Sequence, residues 1–273
     1  YNFLLSHKFL NDASFTFSFF GLDAARNAIG FRTNRVSQID PGGVRDLIKG
    51  TFRNFGFEAR YLNEYKFFEK KSTFLIGGKY YNASNTSTQG PGSEGSDANF
   101  NFQFDEFPNY PRQADYTYPN LNVALFGENI IYLNDKLSIT PGARFEYIKT
   151  ESDGFYTRIN TDGAGNIIFK ETIFDDDIKE RSFVLLGLGA SYKPNKNLEV
   201  YGNISQNYRS ITFSDISIFN PAYTINPNID DEKGFTSDIG LRGSYRRLLS
   251  YDLSVFGLSY KDRIGFIQKV QED

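Results

Sequence analysis

The chain has 273 residues and a formal net charge of -3, so it offers no polycationic face to a nucleic acid. It contains no cysteine, which excludes disulfides, thiol catalysis and thiolate metal sites. No stretch approaches the roughly 20 apolar residues that a membrane helix needs. A transmembrane barrel stays open as a solution, because only alternate residues of its strands meet lipid and the mean hydropathy, -0.45 here, remains modest.

In chain order the dominant signal is period-2 alternation of apolar and polar residues. Ser14–Phe19 puts three phenylalanines on one face and hydroxyls on the other. Leu121, Val123, Leu125 and Ile131 share a face opposite Asn122 and Glu128. Leu137, Ile139, Ala143, Phe145 and Tyr147 oppose Arg144 and Glu146, and Leu198, Val200 and Ile204 oppose Glu199, Tyr201 and Asn203. Near the end, Phe235, Ile239, Leu241 and Tyr245 oppose Asp238 and Arg242. The pattern predicts about ten strands, near 2–9, 13–22, 48–63, 72–83, 117–132, 136–149, 181–193, 197–209, 234–246 and 250–262. Many exceed the usual globular strand of about five or six residues and match the roughly 9–11 that cross a bilayer at a tilt.

The connections alternate between short and long. Tight turns are predicted at Asn11-Asp12, Asn134-Asp135, Pro194–Lys196 and Arg246–Leu249, with a fairly short link at Glu64–Lys71. Between them lie polar segments near 23–47, 84–116, 150–180 and 210–233, which read as long loops. Short turns on one side and long loops on the other are the pattern of an outer-membrane barrel, with its turns periplasmic and its loops extracellular. Tyr132, Tyr147, Tyr192, Tyr201, Tyr245, Tyr251 and Tyr260 lie near strand ends, where such barrels carry aromatic girdles. The expected fold is therefore all-β, an antiparallel transmembrane β-barrel.

Three stretches carry a family resemblance. The hairpin from Asn122-Val-Ala-Leu-Phe-Gly-Glu128 through Leu137-Ser-Ile-Thr-Pro-Gly-Ala-Arg-Phe-Glu-Tyr147 resembles the central barrel hairpin of TonB-dependent receptors. Asn207–Ile216 is similar to that family's Arg-x-x-x-Phe-x-(Asp/Glu) segment, and Asn226–Phe235 leading into Asp238–Arg242 is similar to a further strand motif. In the N-terminal third, Phe20–Phe31, Asp40–Ile48 and Arg53–Tyr61 resemble the ferric-dicitrate branch, especially its Bacteroidetes-type members. The resemblance implies a parent barrel of about 22 strands, closed by an N-terminal plug and embedded in lipid and lipopolysaccharide. Such a receptor imports ferric chelates in partnership with the inner-membrane TonB-ExbB-ExbD complex. A plug and a TonB box are not recognisable here, and the chain reads as an internal piece of such a receptor.

Nothing predicts catalysis or a cofactor. His7 is the only histidine and reads as a wall residue. Gly42-Gly43, Gly90–Gly95 and Gly163–Gly165 lack the lysine and following helix of a phosphate loop and read as loops. The runs Asp175–Asp177 and Asp230–Glu232 read as solvated loop charges, with calcium as the sharper alternative. A ferric polycarboxylate is anionic, and guanidinium forks suit its carboxylates. The expected ligand contacts are Arg32, Arg35, Gln38, Arg45, Arg112, Arg158 and Arg209, with the Arg32–Arg45 loop as the preferred patch. The expected function is an outer-membrane receptor for ferric citrate or a siderophore. A passive porin-like barrel and a soluble β-rich adhesin stay open as alternatives.

Overall fold

The computed structural model describes residues 1–10, 12–31, 37–97, 99–211, 229–246 and 248–265. Ten strands follow one another: β1 (Asn2–Lys8), β2 (Ser14–Gly30), β3 (Val44–Phe67), β4 (Lys70–Glu94), β5 (Gln113–Tyr132), β6 (Leu137–Thr161), β7 (Ile167–Asn195), β8 (Leu198–Arg209), β9 (Glu232–Tyr245) and β10 (Leu249–Lys261). Each pairs antiparallel with its sequence neighbour in one ten-stranded sheet, and β1 and β10 form its edges.

The side-chain alternation separates two faces. One carries Leu125, Phe145, Val184, Leu186, Val200 and Ile239, which sit side by side through the register Leu125↔Phe145↔Val184 and its continuation. Leu125, Leu186 and Ile239 are each more than half exposed although large and aliphatic. A soluble sheet would bury this face under a second layer; a barrel turns it to lipid. The opposite face, toward the lumen, carries Lys79 and the ion-paired Glu58, Arg60, Arg144, Glu146, Glu199 and Arg242, with Arg242–Glu199 at 2.9 Å. This is the wall of an antiparallel transmembrane β-barrel, as the alternation predicts.

The lumen face solves a packing problem repeatedly. Phe20, Phe126 and Tyr201 lie directly across from Gly56, Gly77 and Gly240 in the strand register. A Cβ on Gly77 would stand 2.5 Å from the Phe126 ring, and one on Gly240 2.6 Å from the Tyr201 ring. Each ring therefore lies flat on the wall over a missing side chain. A cation then covers it: Lys79 over Phe20 at 5.9 Å, Arg144 over Phe126 at 5.1 Å and Arg242 over Tyr201 at 5.3 Å.

The main correction concerns the loops. β3 and β4 stay paired from Phe67↔Lys70 up to Val44↔Glu94, and β6 and β7 from Leu137↔Tyr192 up to Thr161↔Ile167. Much of 23–47, 84–116 and 150–180 is thus paired strand, rising as ribbons beyond the lipid-facing band. There both faces meet water, so both are polar and the alternation that marks a strand vanishes from the sequence. Asp175–Asp177 belongs to β7 rather than to a loop. Gly90–Glu94 ends β4, while Gly163 and Gly165 do sit at a hairpin tip. The segment 212–228 lies outside the described residues.

Candidate functional site: the lumen wall above the lipid band

The ribbons carry the lumen face past the apolar band, and this upper wall gathers a set of tyrosines and arginines. On β5 the outward apolar run begins at Leu121, so Tyr116 and Tyr118 stand above it on the lumen face. Their rings stack 5.6 Å apart and 5° from parallel. Gly154, directly across from Tyr116, leaves room for that ring. Asp175 and Tyr156 complete the neighbourhood through their electrostatic contact with Tyr116. Burial first, then the Asp175 carboxylate, pushes the Tyr118 hydroxyl up to about 12 and raises that of Tyr116 as well. At neutral pH these groups are protonated donors, not phenolate ligands.

A second cluster closes the top of β3. A β-bulge between Val44 and Asp46 lets consecutive residues serve separate networks. Asp46 accepts from Gln89 Nε2 at 2.8 Å and from the Tyr110 hydroxyl at 3.1 Å. Burial and the Asp46 charge push the Tyr110 hydroxyl up to about 12. Arg45, its side chain 7% exposed, donates from Nη1 to Asp40 at 2.6 Å and from Nε to the Gly95 carbonyl at 2.7 Å. Arg45 and then the Gly42 amide hold the Asp40 carboxyl below the usual carboxylate range. The connection from β4 to β5 folds back onto this end: Phe102 and Phe104 stack at 4.9 Å, Phe104 covers Gly90, and Lys49 lies over Phe102 at 5.4 Å.

The residues expected as ligand contacts are dispersed. Arg32 and Arg35 lie outside the described residues. Gln38 is exposed beside the Arg45–Asp40 pair in sequence. Arg45 is spent on tying the β3–β4 end together. Arg112 hydrogen-bonds Tyr110. Arg158 is exposed on β6, 5.5 Å over the Tyr156 ring. Arg209 donates to Glu232 at 3.0 Å on the β8–β9 side. The structure thus brings Arg112 and Arg158 into the tyrosine-bearing wall and leaves Arg209 apart. Tyr116 was missed from sequence because residues 84–116 read as loop, and Tyr118, at the start of the predicted strand 117–132, was not read as a site residue; Tyr116-Thr-Tyr118 followed by Asn120 and Asn122 is the alternation that could have extended β5 upward. Among the described residues no group of three or more His, Asp or Glu side chains is arranged to hold a metal ion. For Asp175–Asp177 the reason is periodicity, since Asp176 points to the face opposite its neighbours.

A meander of long antiparallel strands with a lipid-facing band, a charged lumen and a polar superstructure defines the class: an outer-membrane-type barrel. The family described as TonB dependent receptor-like, beta-barrel matches residues 1–272, and the chain belongs to it. That family is one of receptors and transporters. Among solved structures, the ferric citrate transporter FecA superposes with a TM-score of 0.66 at 16% identity, covering 99% of this chain and 36% of that one. The ferric yersiniabactin uptake receptor FyuA from Yersinia pestis gives 0.64 at 15% identity, covering 96% and 36%. The ferric-catecholate import receptor Fiu from E. coli K12 gives 0.63 at 12%, covering 95% and 40%. At these identities the likeness establishes the fold, and the chain spans about a third of the length of the first two receptors. No curated protein matches the chain in sequence.

Proposed function

We propose that this chain forms part of an outer-membrane receptor that takes up an intact ferric chelate, ferric citrate or a siderophore. In the full-length protein a plug and the TonB-ExbB-ExbD complex would supply the gate and the energy. The observation that carries this reading is the upper lumen wall, where Arg112 beside Tyr110 and Arg158 over Tyr156 bring two guanidinium groups to a frame of protonated tyrosines. Such a wall binds an anionic chelate by donating hydrogen bonds to its oxygens. It does not strip the metal, which would require deprotonated oxygen ligands. The ferric-dicitrate branch and a Bacteroidetes-type parent rest on the N-terminal segments Phe20–Phe31 and Asp40–Ile48.

Arg112 and Arg158 are the proposed direct contacts, with Gln38, Arg32 and Arg35 as further candidates, while Arg45 ties together the end of the β3–β4 ribbon. The test is binding of ferric citrate and of catecholate and hydroxamate siderophores to the full-length protein. Each lost charge-assisted bond is worth about 1.5–3 kcal/mol, so Arg112→Ala with Arg158→Ala should weaken the bound chelate by roughly a hundredfold or more. Absence of binding to any ferric chelate, or a steady open conductance in a planar bilayer, would replace this reading with that of a passive pore.

A further inference from the structure

The sheet splits between β7 and β8, and the split has a chemistry of its own. The β7–β8 ladder runs from Asn195↔Leu198 to Gly187↔Ser205 and stops, although β7 continues to Ile167 and β8 to Arg209. At that point the Gln206 side chain takes over the pairing, its Oε1 accepting from the Leu186 amide at 2.8 Å. Above it Phe183 and Tyr208 stack at 3.8 Å, and Arg181 donates to Asp231 at 2.7 Å. Between the diverging strands lies an apolar cleft of about 310 Å³, bordered by Phe183, Val184, Tyr208 and Phe235 and flanked by Lys233 and Lys261.

The register fixes the height of this cleft. On β9 the lipid-facing run extends from Tyr245 to Phe235, and the next outward positions are Lys233 and, directly across on β10, Lys261. Ten residues at about 3.4 Å each and a tilt near 45° rise about 24 Å, which is the height of a barrel's apolar band. The two ammonium groups therefore lie at the headgroup level of the outer leaflet, with the cleft immediately below. Like charges directly opposite one another destabilise an antiparallel pair, and among the described residues neither lysine pairs with a carboxylate. An anion between them would turn the repulsion into a bridge.

We propose that the cleft seats a phosphorylated, acylated lipid of the outer leaflet, its phosphate between Lys233 and Lys261 and an acyl chain in the split between β7 and β8. This inference rests on the membrane reading of the outward face given above. The test uses the full-length protein, extracted from outer membranes in mild detergent, with co-purifying lipid A phosphate quantified per barrel by mass spectrometry. Insertion is followed separately by heat-modifiable migration, so that failure to form a membrane barrel, which would sink the membrane reading itself, is distinguished from failure to hold lipid. The expected result is retained phosphorylated lipid in the parent protein and a loss of roughly tenfold or more in Lys233→Glu with Lys261→Glu. Val184→Trp, which fills the cleft and leaves both charges, should also lower retention. Equal retention in all three inserted proteins would overturn the proposal. So would displacement of the lipid by millimolar inorganic phosphate alone, which would make the lysine pair a free-anion site.

Discussion

Single atoms decide the lumen wall. A Cβ on Gly77 would meet both the Phe126 ring and, at 2.8 Å, the Ala59 carbonyl, which cannot move without breaking the β3–β4 ladder. Overpacking of this kind typically costs about 1–3 kcal/mol, so Gly77→Val should lower the thermal stability of the folded barrel by that order. Gly163→Val, at a hairpin tip where nothing lies within 4 Å, should leave it unchanged. Heat-modifiable migration of the two variants across a temperature series checks the contrast. Beside the β7–β8 split, burial works to raise the Asp231 carboxyl, but the Tyr208 hydroxyl, the Ile211 amide and Arg181 outweigh it and hold its pKa below the usual value. A depressed carboxylate contributes stability that is complete above its unfolded pKa, about 3.9, and fades as pH falls through the lower folded value. Asp231→Asn should therefore destabilise by about 2 kcal/mol at neutral pH, leaving Arg181 without its charge partner. The gap between variant and parent should close on acidification; melting curves at pH 7 and below pH 3.5 or so measure it.

At the scale of elements, pairing rather than apolar content holds the ribbons that rise past the lipid band. The β6–β7 ribbon continues to Thr161↔Ile167 and closes on a turn in which Asp162 accepts from the Ala164 and Asn166 amides at 2.9 and 2.8 Å. Chain between paired strands is exposed only at that tip. A short epitope inserted after Gly163 should be tolerated and should label intact cells with antibody, while the same epitope after Asn134, in a tight turn at the other end, should label only permeabilised cells. Labelling of the Asn134 insertion on intact cells would invert the assigned orientation. The ten strands were legible in the sequence wherever one face is apolar, as in Leu121–Ile131 and Leu198–Ile204. Their upper halves were not, because Asn85-Thr-Ser-Thr-Gln89 and Asp175–Asp177 are polar on both faces and carry no period to read.

For the whole molecule, the sheet order leaves β1 and β10 as edges, and the backbone groups of an edge strand in hydrocarbon find no water to pair with. Residues 1–273 expressed alone should aggregate or fail to show heat-modifiable migration in detergent, whereas the full-length receptor should show it. A heat-modifiable, monodisperse 1–273 would mean that these strands close on themselves. The alternation of faces, the lipid-facing band and the order of the hairpins are local properties, set by residues two apart and by turns of a few residues, so the sequence by itself determined them. Which polar side chains meet did not follow, because those meetings join residues far apart along the chain. Arg45 spans 50 positions to Gly95, and Tyr110 spans 64 to Asp46. Arg45 looked like a ligand arginine because the Gly95 carbonyl that fixes it lies far along the chain, and Tyr116 looked like a loop residue because its partners on β6 and β7 were not yet strands. Only the tertiary register, by stacking β3 to β7 above the bilayer, decided which of these groups hold the wall together and which face the lumen.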